Sequence, residues 1–226
     1  MARVIVLDVN ETLLDLKALD PHFEEIFGDK AVRGQWFAQL LRLALVATIT
    51  EAYHDFSLLA GDALDSMAAR YGVTLAAAAR ERVLKAVSTL PPHPEVPESL
   101  ELLQSAGFRL VTLTNSPPHV LDAQMQNSGL RPYFDLLLSV DAVRKFKPAR
   151  ETYAYAAKEL GVATTDLRLV AAHDWDIAGA MRAGCAAAFV ARPGMVFGKL
   201  QEKPDITGVD LSEVAHRIIE VEGGGA

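Results

Sequence analysis

The stretch Val6-Leu7-Asp8-Val9-Asn10-Glu11-Thr12-Leu13-Leu14-Asp15 decides how the chain is read, because the apolar run from Arg3 to Leu7 stops at a carboxylate, Asp8. A compact β-branched run that ends so abruptly has the pattern of a buried parallel strand entering its loop. Taken alone, an Asp at that point is more often a turn or cap residue than a catalyst, so its meaning depends on companions. Strand-like runs recur at Phe108 to Thr114, Leu136 to Val140, Leu167 to Ala172 and Ala186 to Ala191. Helical patterns lie between them at Glu98 to Ser105, His119 to Asn127, Glu151 to Leu160 and Ile177 to Ala183. This alternation predicts an α/β fold, a doubly wound parallel sheet whose site lies at the carboxyl ends of the strands.

The interval from Lys17 to Leu90 breaks the alternation, with helical patterns over Ala31 to Thr48, Asp55 to Tyr71 and Leu75 to Leu90. The return through Pro91, Pro92, Pro94 and Pro97 cannot continue a helix. The expected organisation is a core made of residues 1–16 and 91–226 with an all-helical cap domain, residues 17–90, inserted between them. Such a cap can close over the end of the first strand and exclude water from Asp8.

Composition narrows the function. Half of the 226 residues are hydrophobic, and 22 Lys and Arg against 29 Asp and Glu leave a net charge of −7, with the basic residues scattered. That argues against a nucleic-acid surface. Cys185 is the single cysteine, so no intrachain disulfide forms and no oxidising compartment is required. The apolar run at Val4 to Leu7 is too short for a signal peptide, and Ala38 to Thr50 is interrupted by Arg42 and falls short of a membrane span. A cytoplasmic location with neither membrane nor nucleic-acid partners is the expectation.

The companions of Asp8 are Thr114, Asn115 and Ser116 after the second core strand, Lys147 and Pro148 after the third, and His173-Asp174-Trp175-Asp176 after the fourth. In a parallel sheet these clusters meet in one crevice. In order and spacing they resemble the haloacid dehalogenase superfamily: a strand ending in Asp-x-x-x-Thr-Leu, then Ser/Thr-Asn, then Lys-Pro, then an acidic loop. Most members of that superfamily hydrolyse phosphate esters, but two positions point to the dehalogenating branch. The phosphatase pattern has a second Asp two residues after the nucleophile, to protonate the leaving alcohol. Here Asn10 stands there, and a halide needs no general acid. Ala171-Ala172 occupies the place of a Gly-Asp pair whose Asp ligates magnesium.

The closer resemblance is therefore to the L-2-haloacid dehalogenases, and it implies roles residue by residue. Asp8 is the nucleophile, forming an ester that water then hydrolyses. Thr12 orients it, Lys147 balances its charge, and Asp176 positions Lys147 or the water. Thr114 and Asn115, with the backbone N–H groups of Val9 and Asn10, bind the substrate carboxylate, and Tyr153 is the family tyrosine that follows Lys147. The implied substrates are short 2-haloalkanoic acids, with fluoroacetate in range. No metal and no cofactor is implied, and because such relatives commonly dimerise through cap and core helices, the resemblance is compatible with a homodimer. Each pair of unit charges about 4 Å apart is worth about 4 kcal/mol at an effective dielectric near 20, so Lys147 can offset a monoanion facing Asp8 but not a phosphate dianion.

The pattern departs from the resemblance in the cap, where Phe37 follows Trp36 in place of an arginine that would receive the halide. His173 and the Trp175 indole are the candidate replacements as halide donors, with Phe37 making the pocket smaller and drier. Each residue also has a plainer reading. Trp36 and Phe37 suit cap packing, His173 a structural hydrogen bond, Lys147 a solvated turn, Cys185 a small buried apolar site, and Asp174 or Asp176 a helix cap. Two other functions share the fold: a magnesium-dependent phosphatase, and a catalytically silent binding module.

Overall fold

Six parallel strands carry the core in the order β3-β2-β1-β4-β5-β6 in the computed structural model, which describes residues 4–223. The strands are β1 (Val4–Leu7), β2 (Arg109–Thr114), β3 (Leu136–Ser139), β4 (Leu167–Ala171), β5 (Ala186–Val190) and β6 (Ile206–Gly208). Arg3, expected to open the first strand, lies outside the described residues. β1 is central and wholly buried, as its uninterrupted apolar sequence requires. Its register runs Val4 against Arg109 on one side and Val4 against Leu167 on the other, so residue 8 emerges level with the ends of β2 and β4. The chain first winds outward through β2 and β3, then returns to the far side of β1 as β4. That reversal opens a crevice between β1 and β4 at their carboxyl ends, where a doubly wound sheet binds its ligand.

Helices α5 (Val96–Ser105), α6 (Pro118–Asn127), α7 (Arg150–Leu160), α8 (Asp174–Arg182) and α9 (Leu211–Glu222) cover the sheet, α5 packing on α9 and α7 on α8. Between β1 and β2 stands the helical insertion: α1 (Asp20–Phe27), α2 (Val32–Ile49), α3 (Phe56–Tyr71) and α4 (Ala77–Ala86). Helix α4 stops at Ala86 and tightens into a 3-10 turn over Val87–Thr89, so the pattern expected through Leu90 ends early. The α2–α3 pair dominates the cap, its interface filled by Trp36, Leu40, Ala44, Ala60, Ala63 and Leu64. The chain's exit into the cap and its return lie side by side, Asp15 N–H donating to Pro91 O (2.9 Å) and His93 N–H to Leu13 O (2.9 Å). On the far side, Gln124 and Asn127 of α6 donate to the carbonyls of Val87 and Ser88, so cap and core are joined by hydrogen bonds as well as by chain.

Candidate active site

Asp8 extends the sheet by one step, its N–H donating to Val170 O (3.0 Å), after which the chain turns sharply. The Val9 carbonyl accepts from both Leu13 and Leu14, and Glu11 takes a left-handed conformation (φ 62°). This turn carries Thr12 back beneath Asp8. Its hydroxyl donates to Asp8 Oδ2 (2.7 Å) and accepts from the Ala172 N–H (2.9 Å), tying the end of β1 to the end of β4.

Lys147 comes from the segment between β3 and α7, its backbone N–H anchored on Asn115 Oδ1 (3.0 Å). The ammonium is 2.8 Å from Asp8 Oδ1, 2.6 Å from Asp176 Oδ2 and 2.8 Å from the Leu113 carbonyl, so three acceptors match its three protons. Tyr153 donates to Asp176 Oδ1 (2.7 Å) and fixes that carboxylate from the other side. Gly179 makes the approach of α8 feasible, since a Cβ there would lie 2.4 Å from Pro148 Cβ and 2.6 Å from the Tyr153 hydroxyl. The plainer reading of Lys147 as a solvated turn residue is excluded by its 2 % exposure.

His173, at the N-cap of α8, completes the shell: Nδ1 is 3.2 Å from Asp8 Oδ2 and Nε2 is 3.0 Å from Glu11 Oε2. Burial disfavours a charged ring, but hydrogen bonds to Asp8 and Glu11 prevail and lift its pKa to about 9, so at neutral pH the ring is an imidazolium with both N–H groups committed. Burial would by itself raise the Asp8 pKa, yet the Lys147 ammonium and the His173 imidazolium hold this carboxyl well below the ordinary range, ionised. Burial pushes Asp176 upward against the pull of Lys147. One ammonium thus serves two carboxylates, and the second cation is His173. Glu11 in turn faces Arg33 at 3.8 Å.

Beside this cluster, where cap meets core, is an apolar cavity of about 40 Å³. The cap supplies Trp36, Phe37 and Phe56 to its wall, and the core supplies Asn10, Ser116 and Val120. Asn10 is held by a buried network, donating to Ser116 Oγ (3.2 Å) and accepting from Gln124 Nε2 (2.9 Å). Trp36 turns its indole N–H away to the Ala60 carbonyl (3.0 Å) and offers the cavity only its ring. Thr114 Oγ1 accepts from the Ser116 N–H, and with Asn115 Oδ1 occupied by Lys147, the Asn115 amide NH2 is the donor that remains for a ligand.

Several expectations change. His173 does not offer a halide donor, because each of its N–H groups already meets a carboxylate. Trp175 stacks on that ring (centroids 5.0 Å apart), whereas Phe37 packs against it from the cap (5.9 Å) and also lines the cavity. Neither Asp174 nor Asp176 precedes its helix, since α8 begins at Asp174 and the Asp176 side chain turns into the core. The Asp174 carboxylate lies beside Gly198. Glu11 and Gln124 are site residues that no sequence motif announced; Glu11 is placed by the turn after β1 and Gln124 by helix α6.

A parallel α/β sheet with a buried, lysine-paired aspartate at the end of its first strand, beneath a helical cap, defines a class of hydrolases. The family model described as haloacid dehalogenase-like hydrolase matches residues 2–184, and the chain belongs to that family. The (S)-2-haloacid dehalogenase of Pseudomonas sp. (strain YL) is 30% identical over 224 residues, covering 98% of this chain and 96% of its own. Haloacetate dehalogenase H-2 of Moraxella sp. (strain B) is 26% identical over 218 residues, covering 96% and 97%. Among solved structures, an L-2-haloacid dehalogenase from Xanthobacter autotrophicus superposes with a TM-score of 0.91 at 24% identity, over 100% of both chains, which establishes the shared fold.

Proposed function

We propose that this protein hydrolyses the carbon–halogen bond of short 2-haloalkanoic acids, without a metal, through an ester on Asp8. The observation that carries the reading is the ionised Asp8 carboxylate, held by Lys147 and Thr12 under a closed cap, with an amide rather than an acid two residues further on. The relatives named above act on haloacids and haloacetate, in agreement with that chemistry. Asp8 attacks the carbon bearing the halogen, and the halide departs with the bonding electrons and needs no proton. Water then adds to the Asp8 carbonyl carbon, the 2-hydroxy acid leaves, and the carboxylate is restored. The backbone N–H groups of Val9 and Asn10, with Thr114 and the Asn115 amide, bind the substrate carboxylate. Trp36 and Phe37 wall the small dry cavity that limits chain length.

Charge favours a monoanionic substrate. Asp8 and Asp176 are matched by Lys147 and His173, so an arriving haloacid meets a neutral cluster. A phosphate dianion would bring one further uncompensated charge, a penalty of about 4 kcal/mol that corresponds to roughly a thousandfold in rate. Asn10 provides no general acid for a leaving alcohol, and Ala172 provides no carboxylate for a phosphatase-type cation.

A single turnover in oxygen-18 water, followed by mass analysis of the protein, tests the reading: label enters the Asp8 side chain. Chloroacetate, fluoroacetate, both 2-chloropropionate enantiomers and an aryl phosphate, each with magnesium or chelator, extend it. Halide release that survives chelation is expected. Phosphate release that requires magnesium, with no halide from any haloacid, refutes the proposal.

A further inference from the structure

The two oxygens of Asp8 are not equivalent. Among the described residues, Oδ2 receives two donors, the Thr12 hydroxyl at 2.7 Å and His173 Nδ1 at 3.2 Å, whereas Oδ1 receives only the Lys147 ammonium at 2.8 Å. A carboxylate oxygen has two in-plane acceptor sites, so Oδ2 is filled and Oδ1 keeps a lone pair for a new bond. We propose, resting on the reading of Asp8 as nucleophile, that Oδ1 attacks the substrate and that Thr12 with the Glu11-anchored ring of His173 forms an oxyanion hole on Oδ2 for hydrolysis of the ester.

The steps balance with the groups present. The Oδ1–carbon bond forms as the carbon–halogen bond breaks, the halide keeps the electron pair, and Oδ2 becomes the ester carbonyl oxygen. Water adds to Cγ, placing negative charge on Oδ2, which the Thr12 O–H and the His173 N–H already address. Donors set in advance around developing charge are the strongest single device available to such a step. Collapse breaks the bond from Cγ to Oδ1. Oδ1 departs in the 2-hydroxy acid carrying one of the water's protons, the other proton goes to solvent, and the water oxygen remains on Asp8. Lys147, the donor on Oδ1, thereby stands on the leaving oxygen.

The surroundings of His173 suit this role. Among the described residues, the charged groups facing the ring are Asp8 at Nδ1 and Glu11 at Nε2, with Lys147 behind Asp8 and Arg33 behind Glu11. The rings of Phe37 and Trp175 pack around it and fix its plane. Its raised pKa, about 9, keeps both nitrogens donating across the neutral range. His173 is on this view a catalytic residue, and Glu11 a positioning residue that acts through it.

The test uses His173→Gln with chloroacetate in rapid-quench and steady-state halide assays, with intact-protein mass measured in parallel. The expected result is a halide burst approaching one per protein, followed by turnover about a hundred- to thousandfold slower than in the unaltered protein. A substrate-derived adduct should accumulate on Asp8. Glu11→Gln should move the alkaline limb of turnover to lower pH than in the unaltered protein, a shift that a purely structural glutamate would not cause. Loss of burst and turnover together, with no adduct, overturns the proposal, as does an unmoved alkaline limb in Glu11→Gln. That second variant decides the matter alone should His173→Gln not fold. Failure of the underlying reading is recognised separately, because the unaltered protein would then release no halide.

Discussion

Replacing Lys147 by Met tests the charge logic of the site most directly. The ammonium holds two buried carboxylates, at 2.8 Å from Asp8 and 2.6 Å from Asp176. At an effective dielectric near 20, each contact is worth about 6 kcal/mol of Coulomb attraction before desolvation is subtracted. Breaking a buried pair from one side typically costs about 3–5 kcal/mol, and that is the loss expected in unfolding free energy for Lys147→Met. Activity should fall further than stability. With one cation left for Asp8, Asp176 and an incoming haloacid, a repulsion of about 4 kcal/mol is uncompensated, which corresponds to at least roughly a thousandfold slower halide release. Urea unfolding and halide release should be measured on Lys147→Met and on Lys147→Met/Asp176→Asn. The double variant removes the orphaned carboxylate and should recover most of the lost stability, because the effects of contacting residues are coupled rather than additive. If Lys147→Met keeps halide release within tenfold, or if the double variant is no more stable than the single one, the charge accounting of this site is wrong.

Stability should also depend on pH through His173. Its pKa rises on folding from 6.5 to about 9, so the stabilisation is complete below about pH 6.5 and is lost as pH rises through about 9. That difference is worth about 3 kcal/mol, and unfolding titrations of His173→Gln should show the decline flattened. Phe37→Leu should widen the apolar cavity and raise kcat/KM for 2-chlorobutyrate relative to 2-chloropropionate by about tenfold, the usual worth of one accommodated methylene. An unchanged ratio would remove Phe37 from the substrate wall.

The architecture was legible in the sequence because it is written locally. Strand runs buried on both sides read as continuous apolar stretches, and the four core helices expected, α5 to α8, begin and end within three residues of their expected bounds. The interruption between Asp8 and Pro97 marked the cap. Three elements were not anticipated. Helix α1 is short and opens on Asp20-Pro21, and β6 has three residues, too few to show a period. Helix α9 does carry the 3–4 spacing of Leu211, Val214, Ala215 and Ile218 behind an Asp210 cap.

Asp8, Lys147 and Asp176 could be singled out from clusters that parallel strands deliver to one crevice, whereas Thr12 and Tyr153 came from the family resemblance those clusters carry. The sequence could not say which of them share a proton, a cation or an oxygen. Those pairings depend on ångström-scale distances between residues more than a hundred positions apart, such as Lys147 and Asp8 or His173 and Glu11. A histidine in an acidic loop reads equally as a structural donor or a ligand group. Only its placement between the buried Asp8 and the half-buried Glu11 carboxylates raised its pKa and committed both ring nitrogens. Local pattern specified the sheet and brought the polar residues to its edge, whereas tertiary packing decided their charges, since burial and long-range contacts set the electrostatics and neither is encoded in neighbouring residues.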